Sequence, residues 1–318
     1  LVAISSSRRE AVTSAWTGVN CYPTGEELIQ KADAVLVIVT APNEAHFDLA
    51  SAALRAGRHV VIEKPMVNTV AEGEALVALA KEKGRLLVPF HNRRWDGDFL
   101  TVRKLIQSGR LGEVRHFESH FDRFRPRVRD RWRERPGPGA GAWFDLGPHL
   151  VDQTLCLFGP PLAVTARCLA LREGSQATDN FHVLLHYPNL EVVLHGSTFS
   201  AGPNIRFQVQ GTGGSFLKYG LDPQEERLKA GVRPESARWA MEKEAAFGTL
   251  YTGTAEETVP GEAGGYQAFY GQLAEAILAQ GRTAAPVTAE DALAGIALIE
   301  LAKESGRRGC TLPFESRP

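Results

Sequence analysis

The chain has 318 residues, of which 43% are hydrophobic and 23% charged, the balance of a soluble globular protein long enough for two domains. A formal net charge of −1 gives no whole-molecule attraction to nucleic acid or to a membrane surface, and no apolar run reaches the length of a membrane span. Four cysteines (Cys21, Cys156, Cys168 and Cys310) show no CxxC spacing and read as reduced thiols of a cytoplasmic protein, not as a disulfide frame or a zinc site.

In chain order, the pattern predicts a strand over 1–4, the polar stretch Ser5, Ser6, Ser7 and Arg8, and a helix running through Trp16. A short helix over 26–31 precedes an apolar strand over 34–39, which ends in Thr40, Ala41, Pro42 and Asn43. The next helix, over 44–56, is closed by Gly57 as a C-cap. Val60, Val61 and Ile62 read as a buried strand that stops at Pro65, which has no N–H to give to a ladder. A helix over 70–83, capped by Gly84, and a strand over 86–90 complete a β-α-α-β-α-β-α-β alternation with short connections. That alternation means a parallel sheet with helices on its faces, assigned to a first domain over 1–91.

From about His91 the pattern changes. A helix over 96–108, a strand over 114–122, an Arg-, Pro- and Gly-rich loop over 124–141 and a helix over 143–158 come first. Strands over 164–171, 180–187, 191–199, 206–211 and 215–219 follow, joined by turn signals such as Pro188–Asn189 and Gly213–Gly214. The polar, glycine-rich stretch 248–265 reads as a mobile loop, and helices over 266–280 and 289–305 close the chain. The second domain, 92–318, is therefore α+β with a large, mostly antiparallel open sheet, and no internal repeat is present.

Lys64 sits at the carboxyl end of a buried strand, the edge where open α/β sheets bind ligands. Ser5, Ser6, Ser7 and Arg8 end the first strand with three hydroxyls and a guanidinium and no acidic residue. These types suit the 2′-phosphate of NADP better than the ribose of NAD, although a serine-capped helix start has the same spacing. Asn43 is either a helix N-cap or a cofactor contact beside Thr40 and Pro42, and His46, one turn on, is either structural or part of the same edge. Asp145 and His149 are four residues apart and share a helix face. They are a carboxylate–imidazole pair able to accept a proton, or a first-turn aspartate and a buried polar side chain. Gly147–Pro148 inside this pattern suggests a special start to the helix. Eight arginines between Arg115 and Arg135 alternate with Glu118, Asp122, Asp130 and Glu134, which favours a salt-bridged loop over a nucleic-acid patch. His116, Glu118 and His120 share one strand face, but no further ligand is evident in the sequence, so no metal is assigned.

Glu63–Lys64–Pro65, followed about 80 residues later by Asp145-x-Gly147-x-His149-x-x-Asp152, resembles the Gfo/Idh/MocA oxidoreductases over essentially the whole chain. Within that family the stretches 90–96 (Phe, His, Asn, Arg, Arg, Trp, Asp), 119–126, 129–133 and 218–225 resemble the bacterial NADP-dependent scyllo-inositol dehydrogenases. The resemblance implies a Rossmann-type domain, then an α/β domain whose open sheet packs against a second copy in a homodimer or homotetramer. It makes Lys64, Asp145 and His149 the catalytic residues. It places Ser5, Ser6, Ser7, Arg8, Thr40, Pro42, Asn43, His46, Glu63, Lys64, Asn92 and Trp132 on the cofactor, NADP before NAD. Lys64, Arg94, Asp122, Arg125, Asp145 and His149 go to a cyclic polyol or sugar substrate, with Asn92 and Trp132 as further hydrogen-bonding candidates. A dehydrogenase of another sugar such as glucose, and a non-catalytic sensor on the same fold, are the alternatives. The family opens with a strand and a G-x-G-x-x-[GA] turn, and nothing like it precedes Leu1. About 30–35 residues would form that strand, loop and helix, so the sequence reads as truncated.

Overall fold

The computed structural model describes residues 1–130, 134–236, 239–280 and 282–315. The chain packs as two units, the first formed by Leu1–Phe90 with Leu273–Ile296 and the second by His91–Gln272 with Ala297–Pro318.

The first unit opens with β1 (Ala3–Ser5), α1 (Arg9–Ala15), β2 (Asn20–Tyr22), α2 (Gly25–Lys31) and β3 (Leu36–Val39). It continues with α3 (His46–Arg55), β4 (His59–Ile62), α4 (Val70–Lys83) and β5 (Leu87–Pro89). Val60, Val61 and Ile62 are buried to 1% exposure or less, in a strand paired on both edges, with β3 and β5, and packed against α3. Every strand pair here is parallel, but the ladder is divided: β1 pairs with β2, and β3, β4 and β5 form a separate sheet. A cleft of about 1030 Å³ runs along β1 and β3, and Ile38, on the apolar run of β3, is 47% exposed.

The second unit is built on a nine-stranded sheet. Its elements are α5 (Gly97–Gln107), β6 (Val114–His120), α6 (Ala142–Phe158), β7 (Ala163–Leu169), β8 (Asn180–His186) and β9 (Glu191–Gly196). Then come β10 (Ile205–Gly211), β11 (Ser215–Tyr219), α7 (Gln224–Lys229), β12 (Gly248–Tyr251) and β13 (Glu256–Val259). The helices α8 (Tyr266–Leu278) and α9 (Ala289–Arg308) each cross between the units, and β14 (Leu312–Pro313) is the last strand described. The strand order is β13-β12-β11-β10-β6-β9-β8-β7-β14, antiparallel except for the central pair β6 and β9. Phe117, Phe181, Phe207 and Phe216, all fully buried, line the inner face with Trp143 and Leu150 of α6. Each such side chain contributes about 1.5–3 kcal/mol of burial. Gly196 stands opposite Phe181 in the ladder, and a Cβ there would lie 2.4 Å from the phenyl ring, so only glycine lets the ring lie across the strand.

Two expectations are corrected. The stretch 248–265 is no loose loop at its start, because β12 and β13 extend the sheet from β11, with Leu250 and Val259 turned inward and polar residues outward. A strand buried on one face at the end of a sheet needs few apolar residues, which hid it. Gly147–Pro148 does not start a helix, since α6 runs through both. The special backbone is at Gly141, with φ +89°, where a Cβ would come within 2.8 Å of the Thr178 nitrogen.

Candidate active site

In the first unit the expected cofactor residues fall at the carboxyl ends of strands. Ser6 accepts the Arg8 N–H at 3.0 Å, and α1 then starts without a side-chain cap, so the serines do not serve as its N-cap. Ser5, Ser7 and Arg8 are exposed, and Ser5, Thr40 and Ala41 border the same cleft. Pro42 is exposed, whereas Asn43 is buried in a short 3-10 helix and its carbonyl accepts from the Asn68 amide at 3.3 Å. His46 is fully buried, with one ring nitrogen 2.9 Å from the Ala41 carbonyl and the other 3.0 Å from that of Pro65. It therefore ties the loop after β3 to the loop after β4.

Glu63 extends the ladder by donating its N–H to Val39 at 3.0 Å, and its carboxylate accepts the Lys64 N–H at 3.2 Å. Lys64 is half-buried at the end of β4, and its peptide bond to Pro65 is cis. Hydroxyls and a guanidinium at the end of β1, with a carboxylate and an ammonium at the end of β4, are polar and charged groups of the kind a dinucleotide needs at the carboxyl ends of parallel strands.

In the second unit, the Gly141 turn and an Ala142 N–H donated to Thr178 at 2.5 Å launch α6. Asp145 lies in its first turn, half-buried, and His149 follows one turn later at 6% exposure. The His149 ring packs against Phe121, with centroids 6.3 Å apart. Arg123 feels the charge of Asp145, while burial keeps its guanidinium below the ordinary value. Asp152, 4% exposed, takes a bidentate grip on Arg94, with Nε and Nη2 at 2.9 and 2.6 Å, and His91 Nδ1 stands 3.9 Å from the same carboxylate. Asn92 opens the 3-10 helix that carries Arg94. Arg125 is half-buried, its N–H donated to Thr198 at 2.8 Å. Asp122 points the other way in the strand alternation, and its carboxylate accepts the Ser197 N–H at 2.8 Å and faces His120 at 3.3 Å. Trp132 lies outside the described residues.

Sequence reasoning missed His91, Arg123 and Arg172. The last of these clips the arginine-rich loop by binding Glu134 at 3.0 Å and the Arg127 carbonyl at 3.2 Å. His91 and Arg123 stand in stretches read for their resemblance and not residue by residue, Arg172 stands outside any motif, and only the fold brings the three to these partners.

Residues 1–91 match a family model described as an oxidoreductase family with an NAD-binding Rossmann fold, and residues 103–314 match that family's C-terminal alpha/beta domain. The chain is 46% identical to YdgJ of Escherichia coli K12, an uncharacterised oxidoreductase, over 98% of this chain and 90% of that protein. It is 41% identical to IolW of Bacillus subtilis, an NADP-dependent scyllo-inositol 2-dehydrogenase, over 98% of this chain and 88% of that one. The solved structure of YvaA from Bacillus subtilis superposes with a TM-score of 0.93 at 40% identity, covering 99% of this chain and 90% of that one. On both the sequence and the fold, the chain belongs to the Gfo/Idh/MocA family of oxidoreductases.

Proposed function

We propose that the protein is an NADP-dependent dehydrogenase that oxidises one secondary alcohol of a cyclic polyol, of the scyllo-inositol class, to the ketone, reversibly. The observation that carries this reading is the Asp145–His149 pair, one turn apart on one face of α6. The substrate class is taken from the likeness to IolW.

When bound, NADP supplies the acceptor for the hydride of the carbinol carbon. Ser5, Ser6, Ser7 and Arg8 hold its 2′-phosphate, Thr40, Pro42 and Asn43 run beside the ribose and pyrophosphate, and Glu63 lies at the nicotinamide end. His149 takes the hydroxyl proton as general base, and Asp145 orients that imidazole and accepts from a neighbouring hydroxyl. Lys64 donates a hydrogen bond to the reacting oxygen and offsets its growing negative charge. Arg94, its orientation fixed by Asp152, donates with Arg125 and Asn92 to the remaining hydroxyls.

The test is a panel of scyllo-inositol, myo-inositol and glucose with each nicotinamide cofactor, run in both directions and followed by the absorbance of the reduced ring. The expected outcome is fastest turnover on an inositol with NADP. A faster rate on glucose replaces the substrate, and tight NADP binding without turnover on any compound replaces the enzyme with a sensor. Arg8→Ala raises KM for NADP about ten- to a hundredfold, the loss of one or two hydrogen bonds to a charged group, and leaves KM for NAD nearly unchanged.

A further inference from the structure

We propose that His120, Asp122 and His195 form a binding site for a divalent cation of the zinc class, on the outer face of the nine-stranded sheet. It stands apart from the dehydrogenase mechanism proposed above, and it takes Asp122, which the resemblance had given to substrate, as a cation ligand instead.

The site is made by topology. Residues 116, 118 and 120 of β6 point away from Phe117 and the apolar core. The parallel neighbour β9 sets His195 directly opposite His120, some 75 residues later in the chain, and the two rings stand 5.2 Å apart. Asp122 follows on the same side of the strand. One ligand atom from each of the three residues lies within 4.8 Å of the other two. Asp122 Oδ2 is 3.3 Å from His120 Nδ1, and Asp122 Oδ1 is 3.5 Å from His195 Nε2. Ligands held tetrahedrally at about 2.0–2.1 Å from zinc stand about 3.3–3.4 Å apart, and each imidazole already stands at about that distance from one oxygen of the Asp122 carboxylate, His120 from Oδ2 and His195 from Oδ1.

Each ligand is also held from behind, as metal sites need. His120 turns its other ring nitrogen to Glu118 at 2.8 Å, and Glu118 is braced in turn by His116 at 2.6 Å. The Ser197 N–H fixes the Asp122 carboxylate at 2.8 Å. Nδ1 of His195 faces that of His182 at 3.5 Å. The side chains are sheltered without being sealed, at 13%, 9% and 24% exposure for His120, Asp122 and His195. Imidazole and carboxylate donors in this number suit zinc, and cobalt in its place, better than calcium or magnesium.

The test uses the untagged protein, stripped with a chelator and titrated with Zn²⁺ and, separately, with Co²⁺. One equivalent should bind per chain at micromolar dissociation constant or tighter. Co²⁺ should show the intense visible bands of a four- or five-coordinate ion, and Zn²⁺ should raise the melting temperature. His195→Gln and Asp122→Asn should each weaken binding at least tenfold. Glu118→Gln, which removes a supporting carboxylate, should weaken it about ten- to a hundredfold. Absence of binding, or equal binding by the His195 and Asp122 variants, overturns the site. If a variant folds poorly, the imidazole NMR signals of the wild type decide: those of His120 and His195 must move with one equivalent of Zn²⁺, and a titration that leaves them in place overturns the site as well.

Discussion

The two units handle charge in opposite ways. In the first, the described ion pairs and caps lie at the surface and most are short-range: Lys31 reaches Glu27 at 2.5 Å within one helix, and Thr69 and Glu72 close a capping box on α4, while Lys81 meets the distant Glu290 at 2.9 Å with both side chains exposed. In the second, full charges sit in the interior and pair across the chain. Arg206, 1% exposed, binds Asp98 at 3.2 Å across 108 residues and also Gln153 and Ser119 at 2.8 Å each. Arg93 joins Asp96 at 3.1 Å to Glu225 at 2.7 Å, the latter 132 residues away. Local pairs steady an element that the sequence already encodes. Buried long-range pairs instead set how elements meet, because each half alone would leave an uncompensated charge.

The largest effect tests whether one reaction needs a residue from each unit. Lys64→Ala and His149→Asn should each lower kcat about 10²–10⁴-fold, the usual contribution of an oxyanion donor or a general base. The far-ultraviolet spectrum should be unchanged in both, since neither residue fills the apolar core. A variant that keeps the wild-type rate removes its residue from the mechanism and leaves the chemistry to the other unit.

Next in size is the interior pair. Arg206→Met should destabilise the protein by about 3–5 kcal/mol, because Asp98 is then buried without its partner. Adding Asp98→Leu should recover part of that loss in chemical denaturation. A single variant as stable as the wild type would falsify the view that long-range charge pairs organise the second unit.

These pairs also explain which parts of the molecule the sequence reveals. The alternation of strands and helices in the first unit, the Lys64 strand end and the Asp145–His149 spacing all follow from neighbours in the chain, and the structure has them as read except for β2, a three-residue strand over Asn20–Tyr22 too short to show a pattern and missed between the first two helices. Arg206 breaks the pattern: a register shift between Ile205 and Phe207 turns two successive residues of β10 inward, so period-two reasoning puts the guanidinium on the wrong face. His195 gave no warning either, since its place beside His120 depends on a parallel pairing of distant strands. The strands β12 and β13 were hidden because an antiparallel end strand buries only one face.

A titration separates the units further. Burial, with the nearby charge of Asp98, pushes Asp222 up to about 6, although N–H groups of Gly97 and Gln224 at 2.7 and 2.8 Å pull it back. The folded state therefore holds a proton that the unfolded chain, with an ordinary aspartate near 3.9, releases earlier. Its stabilisation is complete below about pH 4 and is lost as pH rises through about 6. Asp222→Asn should flatten the fall in melting temperature across that window. A remaining slope is expected from Asp96, which burial pushes up to about 7 against the pull of Arg93. An unaltered slope in the variant would show that Asp222 titrates normally and that the interior is wetter than its packing suggests.

The smallest effect belongs to the first unit. Thr69 accepts the Glu72 N–H at 3.2 Å, and Glu72 accepts those of Thr69 and Asn68 at 3.1 Å each. Thr69→Ala should cost about 1 kcal/mol, the ordinary value of an N-cap. The loss should stay where it is made. Hydrogen exchange should quicken at the first turn of α4, while amides of β6 and β10 keep their protection, because the bonds removed join residues within four positions of one another. Faster exchange in the nine-stranded sheet would mean that the cap is coupled to distant elements, and the contrast between local and long-range organisation would fail from its weaker side.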